Sequence, residues 1–175
     1  MIKYFYCPEC NNIYKSTVRE NIYTLDKKLK YDVYYSYECE CGEPAVEIDC
    51  GMVNIIKTLN EYGLTTQYCC EGHVERNGDY SPAYITFDHS ISRDFFEKLL
   101  KVYPLPKGWD IETYDNAICY PDFDYRSCVT IRYNELNAET IPFNRFQSIK
   151  IKYLNTLLIW VFSLRTQRIK SSDNI

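Results

Sequence analysis

The chain has 175 residues, of which 46% are hydrophobic and 25% charged, and a formal net charge of −4. This is a globular composition; it excludes a disordered chain, and the acidic balance argues against a protein that coats nucleic acid through its whole surface. The N-terminus MIKYFYCPEC lacks the basic, apolar and small-residue succession of a secretory signal, and nine cysteines is an odd count. Reduced thiols and metal ligation in a cytoplasmic protein are therefore expected, rather than a disulfide framework.

In chain order, the first feature is a pair of short cysteine motifs. Cys7 and Cys10 (CPEC) and Cys39 and Cys41 (CECG) flank a Tyr-rich stretch and read as the two knuckles of a zinc ribbon over residues 1–44, with one structural Zn2+ site. Tetrahedral zinc needs four ligands converging at about 2.3 Å, and two tight turns supply them with little loop entropy to lose. Pro8 and Gly42 suit such turns, and the CxC spacing tightens the second knuckle. The competing reading is two unrelated pairs of reduced cysteines in a half-buried sheet. Between the knuckles, Ile13 to Glu38 is rich in Tyr, Val and Thr, which predicts a hairpin or three-stranded ribbon sheet. Tyr31, Tyr34, Tyr35 and Tyr37 could stack on bases, although tyrosine is also a good strand former.

Residues 45–140 carry alternating strand and helix patterns. Ala45 to Asp49 alternates as a strand. Met52, Ile55, Ile56 and Leu59 have helical spacing, and Gly63 is placed to take a left-handed cap. Leu64 to Cys70 and Ala83 to Asp88 read as strands. Ile91, Phe95, Phe96, Leu99 and Leu100 form a second amphipathic stripe, which Pro104, Pro106 and Gly108 end before a strand at Trp109 to Tyr114. The order strand, helix, strand, strand, helix, strand predicts an α+β fold with a ferredoxin-like split βαβ sheet, extended by an added strand at Cys128 to Tyr133.

Residues 141–175 read as a C-terminal helix of about twenty-five residues, entered after Pro142 with Asn144 as its cap. Phe146, Ile149, Tyr153, Leu157, Trp160 and Leu164 recur at three and four, and Leu154, Leu158 and Val161 widen the stripe. The run LLIWVF is too short for a bilayer, so the helix is expected to pack on the sheet or to form a homo-oligomer seam. Arg145, Lys150, Lys152, Arg165, Arg168 and Lys170 face only Asp173 in this region. Such a cationic helix would meet phosphate, as in a nucleic acid, or an acidic partner; otherwise it is a solvated face.

The second cluster is CCEGH, Cys69 to His73, containing one of the two histidines. On a strand Cys69 and Cys70 point to opposite faces, and Cys70 is favoured to face His73 across the glycine turn. Asp49 ends a strand expected near the same sheet edge, whereas Asp88 and His89 close theirs at the other end. Cys70, His73 and Asp49 are thus the candidates for catalysis or a second metal site. Two further readings are a small-ligand or nucleotide pocket using the N–H groups of the Gly72 turn, and a buried cysteine with a histidine that merely fixes the turn. No Gly-rich phosphate loop or Ser-His-Asp order is present.

The succession Ile48, Asp49, Ile55, Leu59, Asn60, Gly63, Thr65 or Thr66, Cys69, Cys70, Gly72 and His73, with Tyr84, Ile85 and Phe87 beyond it, resembles a segment of small uncharacterised zinc-ribbon proteins of low-GC Gram-positive bacteria and their phages. The resemblance covers about residues 1–90 and implies a shared domain without an activity. The function expected from all of this is a zinc-binding cytoplasmic adaptor, non-enzymatic, engaging a protein or a structured nucleic acid; an inhibitor of a host enzyme encoded by a phage fits the resemblance. The alternative is a metal- or Cys/His-dependent enzyme, or a small-ligand or nucleotide sensor, at the CCEGH turn.

Overall fold

The computed structural model describes residues 2–7, 9–17, 36–42, 44–74, 80–119, 124–135 and 142–172. The expectations placed on Pro8, Tyr31, Tyr34 and Tyr35 lie outside these residues.

The described residues form ten strands and three α-helices: β1 (Ile2–Tyr6), β2 (Ile13–Thr17), β3 (Ser36–Glu38), β4 (Pro44–Ile48), a 3-10 turn at Cys50–Met52, α1 (Val53–Glu61), β5 (Thr66–Cys70), β6 (His73–Val74), β7 (Tyr80–Ser81), β8 (Tyr84–Phe87), α2 (Arg93–Val102), β9 (Trp109–Cys119), β10 (Asp124–Tyr133) and α3 (Phe143–Ser172). The mixed α/β class expected from the sequence is therefore present. The ferredoxin-like arrangement is not reproduced. The strand that should open the split βαβ unit, β4, pairs with β1 and β3 in an N-terminal sheet of order β2-β1-β4-β3. The second sheet runs β5-β8-β10-β9, and β6 and β7 form a separate ladder. Strand periodicity tells which residues share a face, and it is silent about which neighbour supplies the hydrogen bonds.

Alternation along β1 divides the N-terminal sheet between two cores. Tyr6 is buried in the main core with Tyr4 packed against it, while Phe5 and Cys7 lie in a small core with Cys39 and Ala45. The sheet is thus tied to the rest of the molecule through one face, with Ile48 of β4 also entering the main core. On its exposed margin Lys3 pairs with Glu47 across β1 and β4 at 2.7 Å.

In the second sheet Ile85 and Phe87 of β8 share a face with Val129 and Ile131 of β10, Ile131 lying opposite Ile85. The three helices bury Ile55, Ile56, Leu59, Phe96, Leu157, Trp160 and Val161 in the same core. Thr86 and Thr130 point the other way, both buried, and join their hydroxyls at 2.9 Å, which satisfies two polar groups that would otherwise cost free energy. At α2 the Ser92 hydroxyl accepts from the Phe95 N–H as an N-cap, and Phe96 is buried. Phe95, expected to face the core, is 50% exposed.

α3 is 30 residues long, longer than expected. It starts at Phe143, one residue before the predicted cap: the Phe146 N–H bonds to the Pro142 carbonyl, and Asn144 sits inside the first turn, accepting from the Arg145 N–H. Its inner face follows the predicted stripe through Phe146, Tyr153, Leu157, Trp160 and Leu164, all buried. Trp160 Nε1 donates to the Tyr103 carbonyl at 3.0 Å and fixes the helix against the exit of α2. Among the described residues, no helix is long and apolar enough to cross a membrane.

Candidate metal centre

The N-terminal sheet presents two hairpin ends side by side. The β1–β2 connection is closed by the Cys7 N–H bonding to the Asn12 carbonyl at 2.9 Å, with Asn11 at φ 56°. The β3–β4 connection is closed by the Gly42 N–H on the Cys39 carbonyl at 2.9 Å, with Gly42 at φ 90°, a conformation that glycine reaches without strain. Because β1 and β4 are neighbours, both turns lie at the same end of the sheet.

Four thiols meet there. Cys7 Sγ lies 3.6 Å from Cys41 Sγ, Cys10 Sγ lies 3.2 Å from Cys39 Sγ, and all four sulfurs are within 4.8 Å of one another. Sulfurs placed tetrahedrally about 2.3 Å from an ion would stand about 3.8 Å apart, so the spacing is that of a four-thiolate cage. Each knuckle contributes one buried sulfur, Cys7 and Cys39, and one closer to solvent, Cys10 and Cys41. These four residues lie close enough to hold a metal ion.

The surroundings favour a thiolate at Cys39. Burial raises its pKa, but the backbone N–H of Cys41, the Tyr14 hydroxyl and the neighbouring thiols outweigh that and bring it down to about 6. Tyr14 Oη stands 2.9 Å from Cys39 Sγ, and its own pKa is pushed up to about 12, first by that hydrogen bond and then by burial. A phenol that keeps its proton and donates it to a ligand sulfur is the kind of outer contact that orients and tunes a metal ligand. Cys10 is pushed up, chiefly by its contact with Cys39. Sequence spacing singled out the four cysteines that converge here; it gave no sign of Tyr14, whose partner Cys39 lies 25 residues away.

The CCEGH turn is built differently. Cys70 and His73 are brought together as expected, with Sγ 3.6 Å from Nδ1, and Asp49 also reaches the turn. Asp49 arrives there from the end of β4 in the other sheet, not from a shared one. Its carboxylate accepts from the Glu71 N–H at 2.9 Å, so it serves the backbone rather than His73. Glu71 is the centre of this region. One carboxylate oxygen accepts from the Gly51 N–H at 2.8 Å, the other pairs with Lys150 of α3, and its carbonyl accepts from the Tyr153 hydroxyl at 2.6 Å. Close packing seals the clamp. A Cβ on Gly51 would stand 2.7 Å from both Glu71 Oε2 and Leu154 Cδ1, and one on Gly72, at φ 79°, would stand 2.6 Å from Tyr153 Oη.

The thiols here are not activated. Burial pushes Cys69 up to about 12, and burial likewise raises Cys70, against one lowering hydrogen bond from the Gly72 N–H. A nucleophilic cysteine needs the opposite shift. His73 is exposed, and Asp88 and His89 pair with each other at 3.3 Å at the far end of β8, as expected. Among the described residues, the N-terminal four are the cluster of three or more ligand-type side chains close enough for one ion.

The residues that lead into this turn are explained by the same kind of contact. Asn60 bonds the Ile56 carbonyl, the Thr66 hydroxyl and the Thr66 N–H, latching the end of α1 to β5, and Gly63 takes the left-handed cap at φ 75°. Leu59, Asn60, Gly63, Thr66, Cys70 and Gly72 thus all serve the connection α1–β5–turn. No family model, characterised protein or solved structure matches this chain.

Proposed function

We propose that Cys7, Cys10, Cys39 and Cys41 form a zinc-ribbon site holding one structural Zn2+, and that the chain is a non-enzymatic cytoplasmic binding protein whose zinc-braced sheet and helices are presented to a protein partner. The observation that carries the first part is the convergence of four sulfurs from two adjacent hairpin ends, with a phenol donating to one of them. Four cysteine ligands and no open position are characteristic of structural rather than catalytic zinc. Bound there, the ion would supply folding free energy to the N-terminal sheet, and the chain's own residues would keep the sulfurs deprotonated and oriented.

The second part is supported by the state of the CCEGH turn, where the acid and the backbone groups that a reaction would need are already occupied by the protein. An enzyme or sensor centred on Cys70, His73 and Asp49 has less support, since Cys70 is held above its ordinary range and Asp49 is committed to Glu71.

Metal analysis of protein purified without added metal tests the reading. One zinc per chain is expected in the wild type, in Cys70→Ser and in His73→Ala, and none in Cys7→Ser/Cys39→Ser. Metal that survives in the double variant, or that disappears with His73→Ala, would move the site elsewhere.

A further inference from the structure

α3 is apolar on two opposite sides. The inner side is consumed by the core, yet the outer side still carries Ile151 at 60%, Ile159 at 69% and Phe162 at 41% exposure, with Leu158 half-buried between them. Ile151, Asn155, Leu158 and Phe162 recur at intervals of four, three and four, the spacing of a seam between two helices, and Ile159 borders it. A helix that is hydrophobic all round belongs inside, so its outer stripe marks a surface completed by something else.

Charge says what that something is. From Phe143 to Ser172 the helix carries Arg145, Lys150, Lys152, Arg165, Arg168 and Lys170 and no acid. Lys150 is taken up by Glu71, and Glu135 is near enough to Lys152 to feel its charge; Arg145 and Lys152 remain exposed beside the stripe. Setting the same face of a second copy against this one would bring two acid-free cationic helices together, which like-charge repulsion opposes. An anionic lipid surface would suit the bases, but it would press the Asn155 amide, central in the stripe and exposed, into a layer with no partner for it. In a helix seam, a polar residue at such a position finds a partner and fixes the register.

We propose that the outer face of α3, centred on Ile151, Asn155, Leu158, Ile159 and Phe162, docks an acidic amphipathic helix of a partner protein. The inference rests on the binding-protein reading above and assigns that reading its surface and the chemistry of its partner; it replaces the homo-oligomer seam expected from the sequence.

The test uses the full zinc-loaded chain and a synthetic three-heptad helix with Leu at the seam positions, one central Asn and Glu along both flanks. A scrambled peptide of the same composition, and one with Lys for Glu, serve as controls. The expected result is saturable binding of one acidic peptide per chain, weakening as salt rises, and weakening at least about ten-fold in Ile151→Asp and Ile159→Asp. Val102→Asp, at an equally exposed apolar position on α2, should leave binding unchanged. The proposal is overturned if the acidic helix fails to bind, if the scrambled peptide binds as well, or if Ile159→Asp has no effect. It is equally overturned if sedimentation shows a dimer that Ile159→Asp dissociates, or if phosphatidylserine vesicles are bound through the same residues. Metal content and thermal stability of Ile159→Asp, expected to equal the wild type, separate a failure of this surface from a failure of the zinc reading.

Discussion

The two cysteine-containing turns of this protein use similar residues to opposite ends. At the tip of the N-terminal sheet four thiols face one another, and the Tyr14 phenol reaches one of them. At the CCEGH turn the polar groups of Glu71, backbone and side chain alike, already have protein partners drawn from Asp49, Gly51, Lys150 and Tyr153. The first turn gathers four ligand-type groups close enough to hold one ion, whereas the second is satisfied by the protein itself. A Cys- and His-bearing motif is therefore read by asking what its polar groups are already bound to, since a site for chemistry must leave some of them free.

The largest effect is expected at the four cysteines. Cys7→Ser should abolish metal binding and cost most of the stability of the N-terminal sheet, because the binding free energy of a structural zinc, about 10 kcal/mol or more, acts as folding free energy. Circular dichroism of wild type and variant, each with and without chelator, would measure this; a variant as stable as the wild type would contradict it.

The self-completed turn should respond next most strongly. Gly72→Ala places a Cβ against Tyr153 Oη and the Ala83 backbone at a positive φ, and a loss of about 2 kcal/mol or more in urea unfolding is expected, with metal content retained. Glu71→Gln should lose about 2 kcal/mol as Lys150 is left without its carboxylate.

Tyr14→Phe probes the contact between the Tyr14 hydroxyl and Cys39 Sγ. Competition with a chromogenic chelator should show metal held about ten-fold more weakly, while global stability of the loaded protein stays close to wild type.

The smallest effect concerns Asp88, far from both turns. Burial raises its pKa, but hydrogen bonds from Ser90 and Gln67 and the nearby His89 hold it below the ordinary carboxylate range. A lowered folded pKa means that its contribution is present above the unfolded value, about pH 4, and is lost as pH falls through the folded value. Asp88→Asn should therefore flatten the acid limb of the stability profile by less than about 1 kcal/mol, read as the difference between unfolding curves at pH 7 and pH 3.

Much of this molecule was legible in its sequence where a single element carried the signal. The four converging cysteines were visible because short spacing holds each pair in one turn. The buried stripe of α3 and the core residues of α1 were visible because helical spacing repeats over several turns. What escaped depended on pairing between distant segments. The strand at Ala45 to Asp49 was read correctly as a strand and placed in the wrong sheet, since either neighbour would satisfy its alternation. Asp49 was brought to the right turn by that wrong route. Glu71 carried no signal at all, because its partners Gly51, Lys150 and Tyr153 lie 20, 79 and 82 residues away from it or its backbone. The outer stripe of α3 was hidden for another reason: a helix that is apolar on both sides reads simply as a wide core face until the packing shows which side is used.

The measurement that tests the contrast most directly is amide hydrogen exchange, residue by residue, on the metal-loaded protein before and after chelation. The account predicts that protection collapses across β1, β2, β3 and β4 while the Cys69–His73 turn and the inner face of α3 keep most of theirs. Unchanged protection in the N-terminal sheet, or an equal loss at the CCEGH turn, would contradict it.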